Sequence, residues 1–236
     1  MANDYFRFKQ FTVFQARSAF KVGTDGVLLG AYACVSNSKK VLDIGTGTGL
    51  IAIMLAQRCD GEIVGIEPDY DSYAQACENA AISKWNDRIK IENCDLQNYF
   101  PDDDGFDMIV SNPPYFIDSL TNPNPVKSKA RHNVTLDHKD ILNGTERLLV
   151  EGGKLQVILP YAEGNVFIAE AQEFDLYCND ILKIKPVPSG EIRRMILSFS
   201  RVRSRVSEKF LTIEKGKRHE FTEDYINLTK DFYLKF

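Results

Sequence analysis

Apolar residues gather in short runs from residue 41 onward, at 41–44, 62–66, 89–91, 106–110 and 154–159, each bounded on at least one side by Gly, Pro, Asn or Asp. Runs this short, rich in Val, Ile and Leu, read as strands buried on both faces. Helix-like stretches stand between several of them, as at 50–57. Strands alternating with helices imply βαβ units and a parallel sheet covered on both sides. Two more strand candidates, 180–184 and 194–199, follow a helical pattern around 165–174. Near the end, Phe221, Tyr225, Leu228 and Phe232 recur at helical spacing behind Thr222, an N-cap residue type, with Glu223 and Asp224 in the first turn. The pattern predicts one α/β domain over residues 1–236: a doubly wound, mostly parallel, seven-stranded sheet in a core at 41–200, an N-terminal extension at 1–40, and a basic strand with a packing helix at 201–236.

Composition narrows the class. The chain has 236 residues, 44% hydrophobic and 26% charged, with a mean hydropathy of −0.26 and no 18-residue apolar run, which excludes a membrane-spanning helix. The N-terminus lacks a basic region followed by an apolar stretch and a cleavage site, so a cytoplasmic protein is expected. Five cysteines, at 34, 59, 77, 94 and 178, show no C-x-x-C spacing, and His132, His138 and His219 lack ligand spacing, so no metal site is expected. His138, beside Asp137, reads as the start of a helix.

The net charge of −4 hides an asymmetry. Residues 181–221 hold eleven Lys/Arg against four Glu, or +7, leaving −11 for the rest. Arg7, Lys9, Arg17 and Lys21 add a basic stretch without an acid between residues 5 and 24, and Lys127, Lys129 and Arg131 cluster further on. Such patches suit a polyanion. They equally suit a solvated strand edge charged against aggregation.

Doubly wound sheets bind ligands at the carboxyl ends of their strands. The first core strand runs into Asp43-Ile44-Gly45-Thr46-Gly47-Thr48-Gly49, a loop whose glycines allow a sharp turn and close approach to a ligand. A dinucleotide fingerprint would need glycine where Leu50 stands, which counts against a nicotinamide cofactor. The second strand ends at Glu67, placed for both hydroxyls of a ribose, and a third acid, Asp95, follows the third strand, where an adenine amino group can meet an acceptor.

The fourth strand ends in Asn112-Pro113-Pro114-Tyr115. Pro113 biases Asn112 toward an extended conformation, and the prolines fix their own φ. The Asn112 side-chain oxygen and the Pro113 carbonyl are thereby held as two acceptors for the hydrogens of one exocyclic NH₂ group. Accepting from that amine favours the partly positive nitrogen of a transition state over the flat ground state. Tyr115 offers a face for stacking, with Phe116 as a second wall.

With the glycine loop, Glu67, Asp95 and this tetrad together, the chain resembles class I S-adenosylmethionine-dependent methyltransferases of the amino-methylating branch, a Rossmann-like fold. Phe8-Lys9-Gln10-Phe11, the stretch Lys21-Val22-Gly23-Thr24-Asp25-Gly26-Val27-Leu28-Leu29-Gly30, Thr135-Leu136-Asp137-His138 and Phe232-Tyr233-Leu234 extend the likeness over nearly the whole chain, to the bacterial valine tRNA adenine N6-methyltransferase family. The resemblance implies S-adenosylmethionine as cofactor, tRNA as partner, and methyl transfer to N6 of an unpaired adenosine next to the anticodon; a monomer is expected.

It also implies roles. Asp43, Gly45, Gly47 and Gly49 would line the methionine moiety, Glu67 the ribose, and Asp95 with Leu96 the adenine. Gly23, Thr24 and Asp25 would close the cofactor from the other side, and Asn112, Pro113, Pro114 and Tyr115 would seat the target base, Asn112 meeting the cofactor as well. The 21 residues 116–136 read as a loop that orders over the base, with Phe116 and with Lys127, Lys129 and Arg131 on RNA, joined by Arg201, Arg203 and Arg205. A protein glutamine N5-methyltransferase, another nucleic-acid amino-methyltransferase and a catalytically silent RNA-binding module are the alternatives. Only 40 residues precede Val41, short of the helical or target-recognition domains that the first two usually carry.

Overall fold

Eight strands share one sheet, and the apolar residues of its central strands alternate between two buried faces. The computed structural model describes residues 3–18, 20–101, 105–114 and 136–236. A two-stranded antiparallel ribbon, β1 (Tyr5–Arg7) and β2 (Thr12–Phe14), leads through helix α1 (Thr24–Tyr32) into the alternating core. There follow β3 (Lys40–Ile44), α2 (Leu50–Ala56), β4 (Glu62–Ile66), α3 (Tyr70–Ala81), β5 (Ile89–Glu92) and β6 (Phe106–Ser111). The second half holds α4 (His138–Leu148), β7 (Leu149–Pro160), α5 (Tyr161–Ala171), β8 (Tyr177–Lys185), β9 (Arg194–Ser200), β10 (Ser207–Thr212) and α6 (Glu223–Thr229).

The sheet order is β10-β8-β9-β7-β6-β3-β4-β5, parallel except for β9, which runs against both neighbours. Seven strands were expected; the eighth arises because the basic strand, β10, pairs with β8 in register instead of standing apart as an appendage. Chain order reverses between β3 and β6, and that switch point opens a crevice at the carboxyl edge.

Leu42, Ile44, Val64, Ile66, Ile109 and Val157 face one apolar layer with Ile141, Leu142 and Phe167 from α4 and α5. Val41, Ile63, Met108, Val110 and Ile158 face the other, with Leu28 and Leu29 of α1, Ile51 and Leu55 of α2, and Tyr225 of α6. Burying two faces gives the strands their near-continuous hydrophobic runs. Caps fix the helix starts: Asp69 accepts from the Ser72 amide at 2.9 Å, Thr222 from the Tyr225 amide at 3.2 Å, and Asp137 makes a capping box with Asp140 ahead of His138. The chain ends are stapled together, with Lys9 donating to the carbonyls of Lys230 and Phe236 and Phe8 packing against Phe232 and Tyr233. Lys9 is therefore a clamp on the C-terminus.

Candidate active site

Strand register assembles the site. Asp43, Ile44 and Lys40 of β3 pair with Gly65, Ile66 and Glu62 of β4, while Ile44 pairs with Ser111 of β6. The residues just past these pairs, Gly45, Glu67 and Asn112, therefore stand side by side at the carboxyl edge. The Gly45 and Thr46 amides both donate to the Ile66 carbonyl, at 3.0 and 3.1 Å, and the Ser111 hydroxyl donates to the Ile44 carbonyl at 3.1 Å. These bonds lock the ends of three strands together.

Gly45, Gly47 and Gly49 have φ of 70, 57 and 79°, a left-handed backbone that side chains resist. A Cβ on Gly45 would meet nothing within 4 Å, and one on Gly47 only the Gly45 carbonyl at 4.0 Å, so the outer face of the loop is open. Gly49 differs. Its vacant side faces Ala76 of α3 at 3.5 Å, so it serves packing of α3 on the loop and not the open face expected of it.

Asp43 is fully buried beneath the loop. Its Oδ2 accepts from the Thr46 hydroxyl at 2.6 Å and from the Ala52 amide at 3.2 Å, while Oδ1 has no hydrogen-bond partner among the described residues. Burial pushes its pKa up to about 7; the two hydrogen bonds oppose the rise and the nearby Glu67 carboxylate adds to it. Glu67 is nearly buried too. Its Oε2 accepts from the Gly47 amide at 2.9 Å and Oε1 from the Asp69 amide at 3.1 Å, bonds that partly offset the upward push of burial on its pKa. Asn93 holds the strand end below by donating to the Glu67 carbonyl at 2.8 Å.

Asp95 caps a 3₁₀ turn, Leu96–Asn98, accepting from the Asn98 amide at 2.9 Å. The Leu96 side chain is buried in the core against Gly144 of α4, so an adenine contact from that side chain is not what the fold provides. Asn112 lies under α1: a Cβ on Gly26 would come within 3.9 Å of Asn112 Nδ2. Gly23 is the extended N-cap of α1, and the Asp25 carboxylate is committed to Arg194 Nε at 2.9 Å. Thr24 and Asp25 also line a cleft beside β9.

The basic candidates separate. Because β9 is antiparallel, it delivers Arg201, Arg203 and Arg205 to the amino edge, opposite Asn112. There Arg201 donates to the Glu146 carbonyl at 2.7 Å and Arg203 lies over the Tyr177 ring at 4.4 Å. The expectation that these arginines flank the base pocket is corrected by strand direction. Tyr115, Phe116, Lys127, Lys129, Arg131 and the expected loop at 116–136, apart from Leu136, lie outside the described residues.

Several contributors were not singled out from sequence. Thr46 anchors Asp43, and Asn79 of α3 joins β2 to the loop by donating to the carbonyls of Phe14 and Thr48, both at 2.8 Å. Ser18 meets Ser72 of α3 at 3.2 Å, holding the end of the 15–18 segment on α3. A polar residue on the buried face of α3, as Asn79 is, was the available signal. Among the described residues, no group of three or more His, Cys, Asp and Glu side chains is placed to hold a metal ion, and no helix is long and apolar enough to cross a membrane.

S-adenosylmethionine fits these residues: an open glycine face, a buried carboxylate oxygen with an unfilled acceptor, and a carboxylate at the next strand end. Comparison with known proteins agrees. Residues 13–164 match the family model of the methyltransferase small domain. A tRNA1(Val) (adenine(37)-N6)-methyltransferase of Bacteroides thetaiotaomicron is 44% identical over 99% of both chains, and one of Phocaeicola vulgatus is 45% identical over 99% of both. Among solved structures, a predicted O-methyltransferase from Agrobacterium tumefaciens superposes with a TM-score of 0.67 at 19% identity, covering 88% of this chain and 96% of its own, a likeness of fold. The chain is a S-adenosylmethionine-dependent methyltransferase of the methyltransferase small domain family and belongs, within it, to the tRNA1(Val) (adenine(37)-N6)-methyltransferases.

Proposed function

We propose that the protein methylates the exocyclic N6 of adenosine 37 in tRNA1(Val), acting in the cytoplasm as a single methyltransferase domain. The observation that carries this reading is the register that sets Asn112 beside Gly45, joined to the full-length likeness to relatives bearing that name. When bound, S-adenosylmethionine supplies an electrophilic methyl group on a positively charged sulfur. The chain supplies the rest. Glu67 accepts from ribose hydroxyls, Asp43 gives the methionine part an acceptor, and Asp95 the adenine. The Asn112 side-chain oxygen and the Pro113 carbonyl accept both hydrogens of the target amine and hold its nitrogen toward the methyl donor. These contacts strengthen as the nitrogen gains positive charge, so they act on the transition state. Positioning of the two reactants provides the remaining acceleration.

A glutamine side-chain amide offers the same NH₂ group, but the relatives that match end to end are named for tRNA. Adenosine 37 adjoins the anticodon in an unpaired loop, so presenting its base costs less than opening a duplex. The test is transfer of labelled methyl to a tRNA1(Val) transcript. Label is expected on the transcript and lost when adenosine 37 is replaced by guanosine; label that persists after that replacement would place the target elsewhere.

A further inference from the structure

The first turn of α1 has two faces. Gly26 lies against Asn112, while Asp25 and Leu28 face a cleft of about 300 Å³ bounded by the ends of β8 and β10 and the start of β9. All these ends lie at the carboxyl edge of the sheet, since β8 and β10 run parallel and β9 begins where β8 finishes, with Ile184 paired to Arg194. The cleft therefore adjoins the Asn112 site, separated from it by one helix.

Its lining has a consistent chemistry. Half-buried Pro186 and Ile213 give an apolar floor, backed by the buried Leu28 and Ile184. Arg194 is fixed as a wall by its ion pair with Asp25 and by its bond to the Arg193 carbonyl at 3.0 Å. Arg193 is different. Its backbone is held, its amide donating to the Ile184 carbonyl at 2.9 Å, yet its side chain is exposed and its guanidinium has no hydrogen bond or ion pair among the described residues. Beyond Ile213 the turn to Phe221 carries Lys215, Lys217 and Arg218 against Glu214 and Glu220, with Lys217 3.9 Å from Glu220, leaving this rim one net positive charge. An apolar floor, a fixed polar wall and an unpaired guanidinium at a cationic rim suit one occupant: an unstacked base with its phosphate.

We infer that this cleft receives the nucleotide next to the target adenosine, with the floor against the base and Arg193 on its phosphate. The inference rests on the methylation of adenosine 37 proposed above. It gives the enzyme a contact that reads loop sequence outside the reacting base, in a place where Arg201, Arg203 and Arg205 cannot reach. Arg193 is then a binding residue for RNA with no part in holding the cofactor.

The experiment uses the full-length protein and an anticodon stem-loop of tRNA1(Val). Arg193→Ala is expected to raise KM for the stem-loop about tenfold and reduce the slope of log KM against log salt by about one. Cofactor affinity should stay within twofold, and Arg193→Lys should recover part of the loss. Stem-loops made abasic at position 36 or at position 38 supply an independent arm. At one of these positions the abasic change and Arg193→Ala should combine to less than the product of their separate effects. Wild-type KM and salt slope in Arg193→Ala, or fully multiplicative effects at both positions, would overturn the inference. Failure of the wild-type enzyme to methylate the stem-loop at all would instead overturn the proposed function.

Discussion

The Gly47 amide donates to Glu67 Oε2 at 2.9 Å, joining the glycine loop at the end of β3 to the carboxylate at the end of β4. One side chain thereby both shapes the loop and presents an acceptor beside it. Glu67→Ala removes a charged acceptor and one support of the loop, and is expected to weaken S-adenosylmethionine binding by about 1–3 kcal/mol, measured by calorimetry. Unchanged affinity would contradict the assignment of Glu67 to the cofactor.

On the proposed reading the Asn112 side-chain oxygen acts mainly on the amine in the transition state. Asn112→Ala should therefore abolish turnover while leaving cofactor affinity within a few fold. Single-turnover kinetics separates the two, and a near-normal kcat would remove Asn112 from the catalytic grip.

Asp43 predicts a pH dependence of stability. Its pKa rises from 3.8 to about 7 on folding, so between those values the native state binds the proton more readily than the unfolded chain. Stability from this group is present at low pH and is lost as pH rises from about 4 to about 7, by on the order of 2–4 kcal/mol. Asp43→Asn keeps acceptors for Thr46 and Ala52 but cannot ionise. Urea unfolding should then show the wild type losing more stability than the variant over that range. Parallel profiles would contradict a carboxyl whose pKa is raised by burial on folding.

The arginines at the amino edge yield a converse expectation. Because β9 carries Arg201, Arg203 and Arg205 away from Asn112, replacing all three with Ala should leave KM and its salt slope on an anticodon stem-loop unchanged. A marked rise in KM would bring RNA to the opposite edge of the sheet.

Much of this was legible in sequence because both faces of the sheet are covered. The runs at 62–66 and 106–110 fall within β4 and β6, almost residue for residue, and Thr222 caps α6 as its side-chain chemistry suggests. The ends of β3, β4 and β6 carry glycine, acid and Asn-Pro, residue types that leave a strand abruptly, and so the site announced itself. Helix α1 did not. It is buried on most sides from Gly26 to Ala31 and so lacks an amphipathic period. Strand β10 was visible as a basic strand, but with Ser207 through Phe210 exposed it carries no alternation to show that it joins the main sheet. The placement of Arg201, Arg203 and Arg205 depended on the direction of β9, which charge and spacing do not encode. The ion pair of Asp25 with Arg194 joins residues far apart in sequence, so the chain's local pattern gives no sign of it.

The most direct measurement is nucleoside mass spectrometry, with fragment mapping, of tRNA1(Val) incubated with the protein and S-adenosylmethionine. The account predicts N6-methyladenosine at position 37, formed by the wild type and absent with Asn112→Ala. A methylated nucleoside of another kind or position, or product formed equally by the Asn112 variant, would contradict it.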